Sequence, residues 1–383
     1  MPSIPIHKAH IERSKLIERL ERYLQSRASR KPPRIAVFGD YCLDKYLYHY
    51  PNLDEKSVET GLVARQIRAT RLSAGVGGTI ANNLCALGAQ TFCFGAIGED
   101  GEGFDLLRSL KKMGANVEGM AILPELLTGT YMKPMRPERL DISPLSNRGT
   151  ADWTEENRFD IRNPAPASDA ALEILKRSFL AKLDDLDAAI ITDQFQTGSE
   201  VVFSPQLRAF LSQAAQSRPN LFVFCDSRFF VDSYVDIFVK CNANEALDAY
   251  DAAHNGKERL ETTFNSDSEL DLNLILRAGE WLVQKNKRSA LITRGSKGSL
   301  LFEIDSGENL QAKEIPPIPV TPPIDVCGAG DATNAAFTFA RTIGFSLEES
   351  AFLAGVASSI TIKRIGETGV ASLEEILDVL RNQ

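Results

Sequence analysis

The chain of 383 residues has a formal net charge of −8, and 43% of its residues are hydrophobic, which supplies a packed core and excludes a fibrous or wholly disordered protein. Its 43 Lys and Arg against 51 Asp and Glu disfavour nucleic-acid binding. No apolar run approaches the roughly 18 residues that cross a bilayer, and no CxxC pair occurs among its six cysteines. We therefore expect a cytoplasmic protein with reduced thiols and no membrane contact.

Residues 1–31 are predicted to form a charged N-terminal helical extension. Apolar residues such as Leu16 and Leu20 recur there at helical spacing, and Pro32 ends the pattern. We expect this extension to pack on the body of the protein or on a second subunit. The remaining residues, 32–383, are predicted to form one domain.

Beyond the extension, short β-branched or aromatic runs alternate with longer amphipathic segments. This alternation is typical of an α/β fold with right-handed crossovers, in which helices cover both faces of a mostly parallel sheet. The predicted strands are 34–38, 91–94, 188–192, 221–225, 237–240 and 290–293. The predicted helices lie near 77–87, 101–114, 169–184, 205–217, 270–287, 330–344, 347–363 and 372–382.

Two stretches, 46–72 and 123–148, lack helical period and contain alternating, strand-like runs. We expect them to form a small β lid that rises from the main body. Because lid sheets with apolar faces tend to pair, the expected assembly is a homodimer through this lid. Residues 255–271 are polar and irregular, which predicts a surface insertion.

The sharpest chemical signal is the sequence Asp-Val-Cys-Gly-Ala-Gly-Asp, which ends at Asp331 directly before a strong helical pattern. Its small residues Gly328, Ala329 and Gly330 would leave backbone N–H groups exposed at a helix start, where the helix dipole favours an anion. Asp331, beside that site, is placed to accept a proton from a hydroxyl nucleophile. A glycine-rich loop with an ordinary capping aspartate would have the same sequence.

This stretch and the small residues after it resemble the C-terminal signature of the ribokinase/phosphofructokinase-B sugar kinases, and the resemblance extends over residues 34–380. It implies a ribokinase-like three-layer α/β/α fold with a mostly parallel central sheet and a small β lid. It also implies an ATP- and Mg²⁺-dependent kinase that transfers the γ-phosphate to a hydroxyl of a sugar or sugar phosphate. In that family the catalytic base maps onto Asp331 and the anion hole onto Gly328–Gly330. No Walker A sequence occurs.

On the sugar side, Asp44 follows the first predicted strand, and a carboxylate beyond a strand end faces the ligand crevice. The family's sugar-binding aspartate falls there, although a turn aspartate would look similar. The segment with Gly75, Gly77 and Gly78 resembles the family's N-terminal signature, whose glycines let the backbone approach the sugar. The family's sugar-binding asparagine is replaced by Thr79, which cannot donate and accept as an amide does.

On the nucleotide side, Asn242 and Glu245 match the family's Asn-x-x-Glu element, which organises Mg²⁺ and the ATP phosphates largely through water. A helix cap followed by a glutamate would have the same spacing. Thr293, Gly295 and Gly298 lie in a turn that resembles the family's nucleotide-binding turn.

Two further residues have weaker assignments. Arg228 follows a strand end and would clamp a phosphate of the nucleotide or the substrate, whereas an exposed turn arginine is the alternative. Asp325, together with residues 361–366, resembles a loop that holds a monovalent cation in related kinases. This likeness leaves K⁺ open without predicting it.

Within the family, the runs 43–48, 57–63 and 363–372 are similar to the kinase domain of the bifunctional heptose 7-phosphate kinase/adenylyltransferase branch. That branch has a lysine where this chain has Thr197. Two other functions stay open. One is a kinase of a nucleoside or another small alcohol, and the other is a non-catalytic regulator that binds sugar or nucleotide.

Overall fold

The structure, a computed structural model, describes residues 4–139, 153–163, 166–195, 202–256, 271–304, 309–366 and 368–382. Within these ranges, ten strands form the main sheet. Numbered along the whole chain, they are β1 (Ile6–Lys8), β2 (Arg34–Gly39), β7 (Gln90–Gly98), β8 (Asn116–Leu123), β12 (Ala188–Asp193), β13 (Phe222–Ser227), β14 (Phe238–Asn242), β15 (Ala290–Thr293), β16 (Ser299–Ile304) and β17 (Leu310–Ile315). Their spatial order is β1-β17-β16-β15-β14-β13-β12-β2-β7-β8. All neighbours are parallel except β16, which is antiparallel to β15 and β17.

Helices cover both faces of this sheet, so the predicted three-layer α/β/α fold is confirmed. On one face α4 (Asp169–Leu183), α5 (Pro205–Gln216), α6 (Ala243–Asn255) and α7 (Leu272–Asn286) contribute to one core cluster. On the other face the second cluster contains residues of α1 (Arg13–Ser26), α2 (Gly77–Leu87), α3 (Gly101–Lys112), α8 (Ala329–Thr342), α9 (Leu347–Thr361) and α10 (Leu373–Asn382). In the described ranges, no helix combines the length and apolar character needed to span a bilayer.

Strand β2 shows why the sheet forms between these layers. Ile35 and Val37 point into one core cluster, while Ala36 and Phe38 point into the other, and all four are fully buried. A strand buried on both faces has a continuous apolar sequence, as parallel sheets require. The six predicted strands overlap β2, β7, β12, β13, β14 and β15.

The N-terminal segment needs one correction. Residues Ile6–Lys8 form β1, parallel to β17, although helix was expected over residues 1–31. Three residues are too few to show a strand period in the sequence. Helix α1 forms as expected, and its Leu16 and Leu20 are buried in the second core cluster, so this segment packs on the body of the protein.

The lid is a second sheet of five strands among the described residues: β3 (Tyr41–His49), β6 (Ile67–Val76), β9 (Thr130–Pro137), β10 (Trp153–Glu155) and β11 (Phe159–Ile161). A short pair, β4 (Glu55–Lys56) and β5 (Val63–Ala64), extends from it. The lid therefore begins before residue 46 and continues beyond residue 72. Residues 140–148 of the predicted lid, and residues 257–270 of the predicted insertion, lie outside the described residues.

Candidate active site

The candidate active site lies where the parallel strands of the main sheet end. Strand β13 ends beside Asp226 and β14 ends at Asn242, and helices α2 and α8 begin at the same edge. A Cβ on Gly328 would lie 3.4 Å from the Thr79 methyl group, and one on Gly330 would lie 3.2 Å from Lys240 Nζ. The fold therefore brings the two glycine-rich segments together.

The start of α8 differs in one respect from the expected anion hole. Gly328 adopts a left-handed conformation at the N-cap, with φ +77°, and its carbonyl accepts from the Ala332 amide at 2.9 Å. The Ala329 N–H donates to the Val326 carbonyl at 3.1 Å, so it is already used in a turn. The first turn of a helix leaves its other amides without an intrahelical acceptor. We therefore keep Gly328 and Gly330, but not Ala329, as candidate anion ligands.

The carboxyl group of Asp331 lies partly buried in the first turn of α8. Burial raises its pKa to about 7; the negative charge of Asp226 adds to the shift, and Lys240 and Arg228 oppose it. A pKa near the working pH suits a general base, since the ionised form is present and still takes up a proton readily.

A buried ion pair lies beneath this helix start. Lys240 Nζ donates to Asp226 Oδ2 at 2.8 Å, and Asn334 Nδ2, one turn beyond Asp331, donates to the same oxygen at 2.6 Å. Burial lowers the pKa of Lys240, but the Asp226 and Glu245 carboxylates outweigh it and raise the pKa above its usual value. The ammonium therefore stays charged.

Sequence analysis gave Lys240 no role, although a signal was present. The residue lies in the short apolar strand β14, and lysine is almost never fully buried without a partner. A lysine inside such a strand predicts a buried carboxylate nearby, which is Asp226 here.

The predicted sugar-binding aspartate lies at the base of the lid. Asp44 Oδ1 forms an ion pair with Lys133 Nζ at 2.8 Å, and each side chain is only 11% exposed. A Cβ on Gly75 would lie 2.6 Å from Cys42 Sγ and 2.9 Å from Asp44 Oδ2, so a larger residue here would displace these side chains. Burial opposes the charge on Lys133, but Asp44 raises its pKa above the usual value.

Two lid cations flank Tyr46. Lys133 Nζ lies 5.0 Å and the Arg71 guanidinium carbon 4.0 Å from the ring centroid, both at cation–π distance. Cross-strand register explains this, since Tyr46 is opposite Lys133 on β9 and opposite Arg71 on β6. Sequence analysis missed both cations because strand pairing is not visible in the chain order.

The start of α2 packs tightly against the residue before β3 and against the end of β6. A Cβ on Gly77 would lie 2.8 Å from the Asp40 carbonyl, and one on Gly78 would lie 2.4 Å from the Ala74 side chain. Thr79 Oγ1 donates to the Ala74 carbonyl at 3.2 Å. Its hydroxyl hydrogen is therefore used within the protein, which leaves the oxygen as an acceptor.

At the nucleotide side, Asn242 and Glu245 form a reciprocal cap of α6. Asn242 Oδ1 accepts from the Glu245 amide at 2.9 Å, and Glu245 Oε2 accepts from the Asn242 amide at 2.7 Å. The structure therefore contains the helix cap that was the alternative interpretation of this element. Burial, together with Asp226, raises the pKa of Glu245 to about 7.

The predicted nucleotide turn adjoins this cap. Thr293 is opposite Asn242 in the pairing of β15 with β14, which brings the two nucleotide elements to one edge. Gly295 and Gly298 have φ +55° and +77°, and a Cβ on Gly298 would lie 2.3 Å from the Ile315 carbonyl. Turn geometry alone therefore requires glycine at position 298.

Two remaining predicted residues lie at the edge of the site. Arg228 is exposed, and its positive charge lowers the pKa of Asp331 and Glu245. Asp325 accepts from the amides of Cys327 at 3.0 Å and Gly366 at 2.8 Å. It thus joins the two loops of the candidate cation site. Thr197 lies outside the described residues.

Comparison with known proteins identifies the family to which this arrangement belongs. The family model described as "pfkB family carbohydrate kinase" matches residues 33–373. The chain belongs to this family. The family resemblance drawn from the sequence is thereby confirmed.

The curated relatives are larger proteins. The "Bifunctional protein HldE" of Sulfurimonas denitrificans is 26% identical over 349 residues, which cover 90% of this chain and 63% of that protein. The protein of the same name from a Nitratiruptor species is 25% identical over 358 residues, or 91% of this chain and 65% of its own length. The chain thus spans less than two thirds of these relatives.

Solved structures share the fold. Ribokinase of Arabidopsis thaliana, complexed with ribose and ATP, has a TM-score of 0.61 at 20% identity and covers 92% of this chain and 99% of its own. Phosphofructokinase-2 of Escherichia coli, in complex with potassium, has a TM-score of 0.63 at 16% identity with the same coverage.

Proposed function

We propose that this kinase transfers the γ-phosphate of ATP to a hydroxyl group of a sugar or sugar phosphate, with Asp331 as the catalytic base. The observation that carries the proposal is the position of Asp331. Its carboxyl group has a pKa of about 7 and lies in the first turn of α8, next to the Gly328 and Gly330 amides.

The reaction needs few chemical groups from the protein. Asp331 accepts the proton of the acceptor hydroxyl as the hydroxyl oxygen attacks the phosphorus in line. The Gly328 and Gly330 amides, supported by the dipole of α8, stabilise negative charge on the transferring phosphoryl group. Lys240 Nζ, 3.2 Å from a Cβ position on Gly330, adds a fixed positive charge beneath that group.

Mg²⁺ is the ion that the family implies, and the side chains near β14 suit a site that is mediated by water. No set of three or more metal-ligating side chains in the described ranges forms a metal cage, and Mg²⁺ usually keeps several waters. Burial raises the pKa of Glu245 and Asp331, and the negative charge of Asp226 adds to both shifts; a divalent cation nearby would favour their ionised forms. When bound, Mg²⁺ would neutralise phosphate charge. A K⁺ ion at Asp325 stays open and is not part of the proposal.

The lid contacts favour an acceptor that carries its own negative charge. Asp44 is positioned to accept hydrogen bonds from sugar hydroxyls, but Lys133 already neutralises it. Arg71 adds a second cation on the same lid sheet, and its Nη2 donates to the Gly366 carbonyl at 2.7 Å. The positive charges of Lys133 and Arg71 on this sheet would match a sugar phosphate better than an uncharged nucleoside.

The proposed assembly is a homodimer through the lid. Its support is the exposed apolar tip of the β4–β5 pair, where Val58, Leu62 and Val63 are 97%, 70% and 66% exposed. Surfaces of this kind mark protein interfaces. Light scattering on the full chain would measure the mass directly.

The test is an assay of ADP release over a panel of sugars, sugar phosphates and nucleosides. Asp331→Asn should lower kcat by at least about 1,000-fold, since general-base catalysis and charge placement are lost together, while ATP binding measured by calorimetry persists. Asp378→Asn, at an exposed position of α10, is the matched control and should keep full activity. Near-normal turnover of the Asp331 variant would rule out this mechanism.

A further inference from the structure

A surface cleft of about 490 Å³ lies between the N-terminal segment and the end of α2. The N-terminal side of this cleft is lined by Tyr23, Arg27, Arg30 and Lys31, and the side of the kinase body is lined by Gly88. The family match begins at residue 33, so four of these five residues lie outside it. The family resemblance therefore assigns no role to the cleft.

The charge of the cleft is positive in an otherwise acidic protein. Residues 1–34 contain nine Lys and Arg against three Glu, whereas the whole chain has a net charge of −8. Two other cations of this segment are paired: Arg19 with Glu349 at 2.8 Å, and Arg34 with Asp185 at 3.3 Å.

Two of the three cations at the cleft, Arg30 and Lys31, differ from these. Arg30 and Lys31 are exposed and form no ion pair with any residue in the described ranges. Arg27 is held in place, since its guanidinium packs against Gly88 and lies 3.8 Å from Glu374. Three positive charges thus face one cleft, and none of the lining residues is acidic.

The remaining wall of the cleft is aromatic and apolar. Tyr23 packs edge-on against Phe339 of α8, with ring centroids 6.0 Å apart. Burial raises the pKa of its hydroxyl despite the opposing charges of Arg27 and Arg30, so the ring is neutral at physiological pH. A cationic rim beside an apolar wall, at a volume within the small-molecule range, matches a compact organic anion.

We propose that this cleft binds a small organic phosphate and that its occupancy regulates the kinase. The phosphate would contact Arg27, Arg30 and Lys31, and the organic part would lie against Tyr23. The binding site stands on its own geometry, while the regulatory effect rests on the proposed function.

The fold connects the cleft to the candidate active site through two helices. Helix α2 has 11 residues, so about 16 Å separate its start at Gly77, in the acceptor segment, from its end beside Gly88. Tyr23 contacts Phe339 on α8, the helix that begins beside Asp331. A ligand in the cleft would therefore lie beside Gly88 at the end of α2 and would reach α8 through Tyr23, so it should change the KM for the acceptor.

Calorimetry on the full chain tests the site, with phosphoenolpyruvate and inorganic phosphate as probes. The catalytic site is first saturated with a non-hydrolysable ATP analogue and Mg²⁺. Phosphoenolpyruvate should still bind, and more tightly than inorganic phosphate because its organic part adds contacts. The double variant Arg30→Glu/Lys31→Glu should weaken this binding at least tenfold. The control Lys111→Glu/Lys112→Glu, two exposed neighbours on α3, should not.

The proposed site would be overturned if neither phosphoenolpyruvate nor inorganic phosphate bound. It would also be overturned if both double variants lost the same amount of phosphoenolpyruvate affinity. Regulation is tested separately: saturating phosphoenolpyruvate should change the acceptor KM at least threefold in the unmodified chain and not in the Arg30/Lys31 variant. An unchanged KM with binding intact would overturn the regulatory role. Failure of the proposed phosphoryl transfer would leave the calorimetric result untouched, so the two proposals are distinguishable.

Discussion

The two sides of the candidate active site are held by different kinds of contact. On the main-sheet side, the ion pair of Asp226 and Lys240 joins two neighbouring strand ends, and Asn334 ties it to α8. On the lid side, the ion pair of Asp44 and Lys133 lies within one small sheet. The groups proposed for phosphoryl transfer therefore belong to the three-layer core, while acceptor recognition belongs to the smaller sheet. Chemistry and specificity can then vary separately.

Of the variants that break one of these two ion pairs, the largest effect is expected from Lys240→Met, which leaves Asp226 buried without its counter-ion. Removing one partner of a buried pair costs about 3 kcal/mol or more, and loss of the positive charge beneath Gly330 should lower kcat by about 100-fold. Urea unfolding and steady-state kinetics measure the two effects. Lys111→Met, at an exposed position of α3, should change neither. A variant as stable and active as the unmodified chain would show that the main-sheet pair is dispensable.

A smaller and more selective effect is expected from Lys133→Met. Loss of this cation should raise the KM for a sugar phosphate about tenfold and leave the KM for ATP unchanged, because Lys133 pairs with Asp44 and not with the nucleotide elements. The control is Arg68→Met, an exposed position of the same lid. If kcat falls instead while the acceptor KM is constant, the division between chemistry and recognition is wrong.

The smallest expected effect is a shift in the pH dependence of kcat/KM. Asp331 must be ionised to act as base, so kcat/KM should fall as the pH drops through about 7. Asp226 raises the pKa of Asp331, and Asp226→Asn should therefore move this decline to lower pH. Because the folded-state pKa of Asp331 lies above its ordinary value, the same carboxylate destabilises the fold increasingly as the pH rises from about 4 to 7.

Asp331→Asn should consequently lower the pH dependence of stability in that range. Thermal unfolding at several pH values measures it. A pH profile that shifts upward in the Asp226 variant would contradict the assigned electrostatics.

Much of the fold was predictable because buried parallel strands and amphipathic helices differ strongly in hydrophobic period. Strands such as β2 and β12 are apolar along their whole length, and the glycine-rich motif before Asp331 marks the start of α8. Strand β1 escaped prediction because three residues carry no period.

The parts of the site that the sequence did not reveal depend on spatial register. Lys133 and Arg71 lie 87 and 25 residues from Tyr46 along the chain, and only the pairing of β3 with β9 and β6 brings them together. The use of the Ala329 amide in a turn is likewise a backbone detail that residue types do not determine.

The junction between the two sheets determines how the lid can move. A single residue, Asp40, separates β2 from β3, and its carboxylate accepts from the Gln194 and Phe195 amides at 2.7 and 2.9 Å. Beside it, Gly39 has φ +146° and leaves no room for a Cβ, which would lie 2.1 Å from the Thr192 carbonyl. This clamp prevents a hinge at the root of the lid. We expect any opening to come from bending farther out along β3, so that the base of the lid beside Asp44 stays fixed while its outer part adapts.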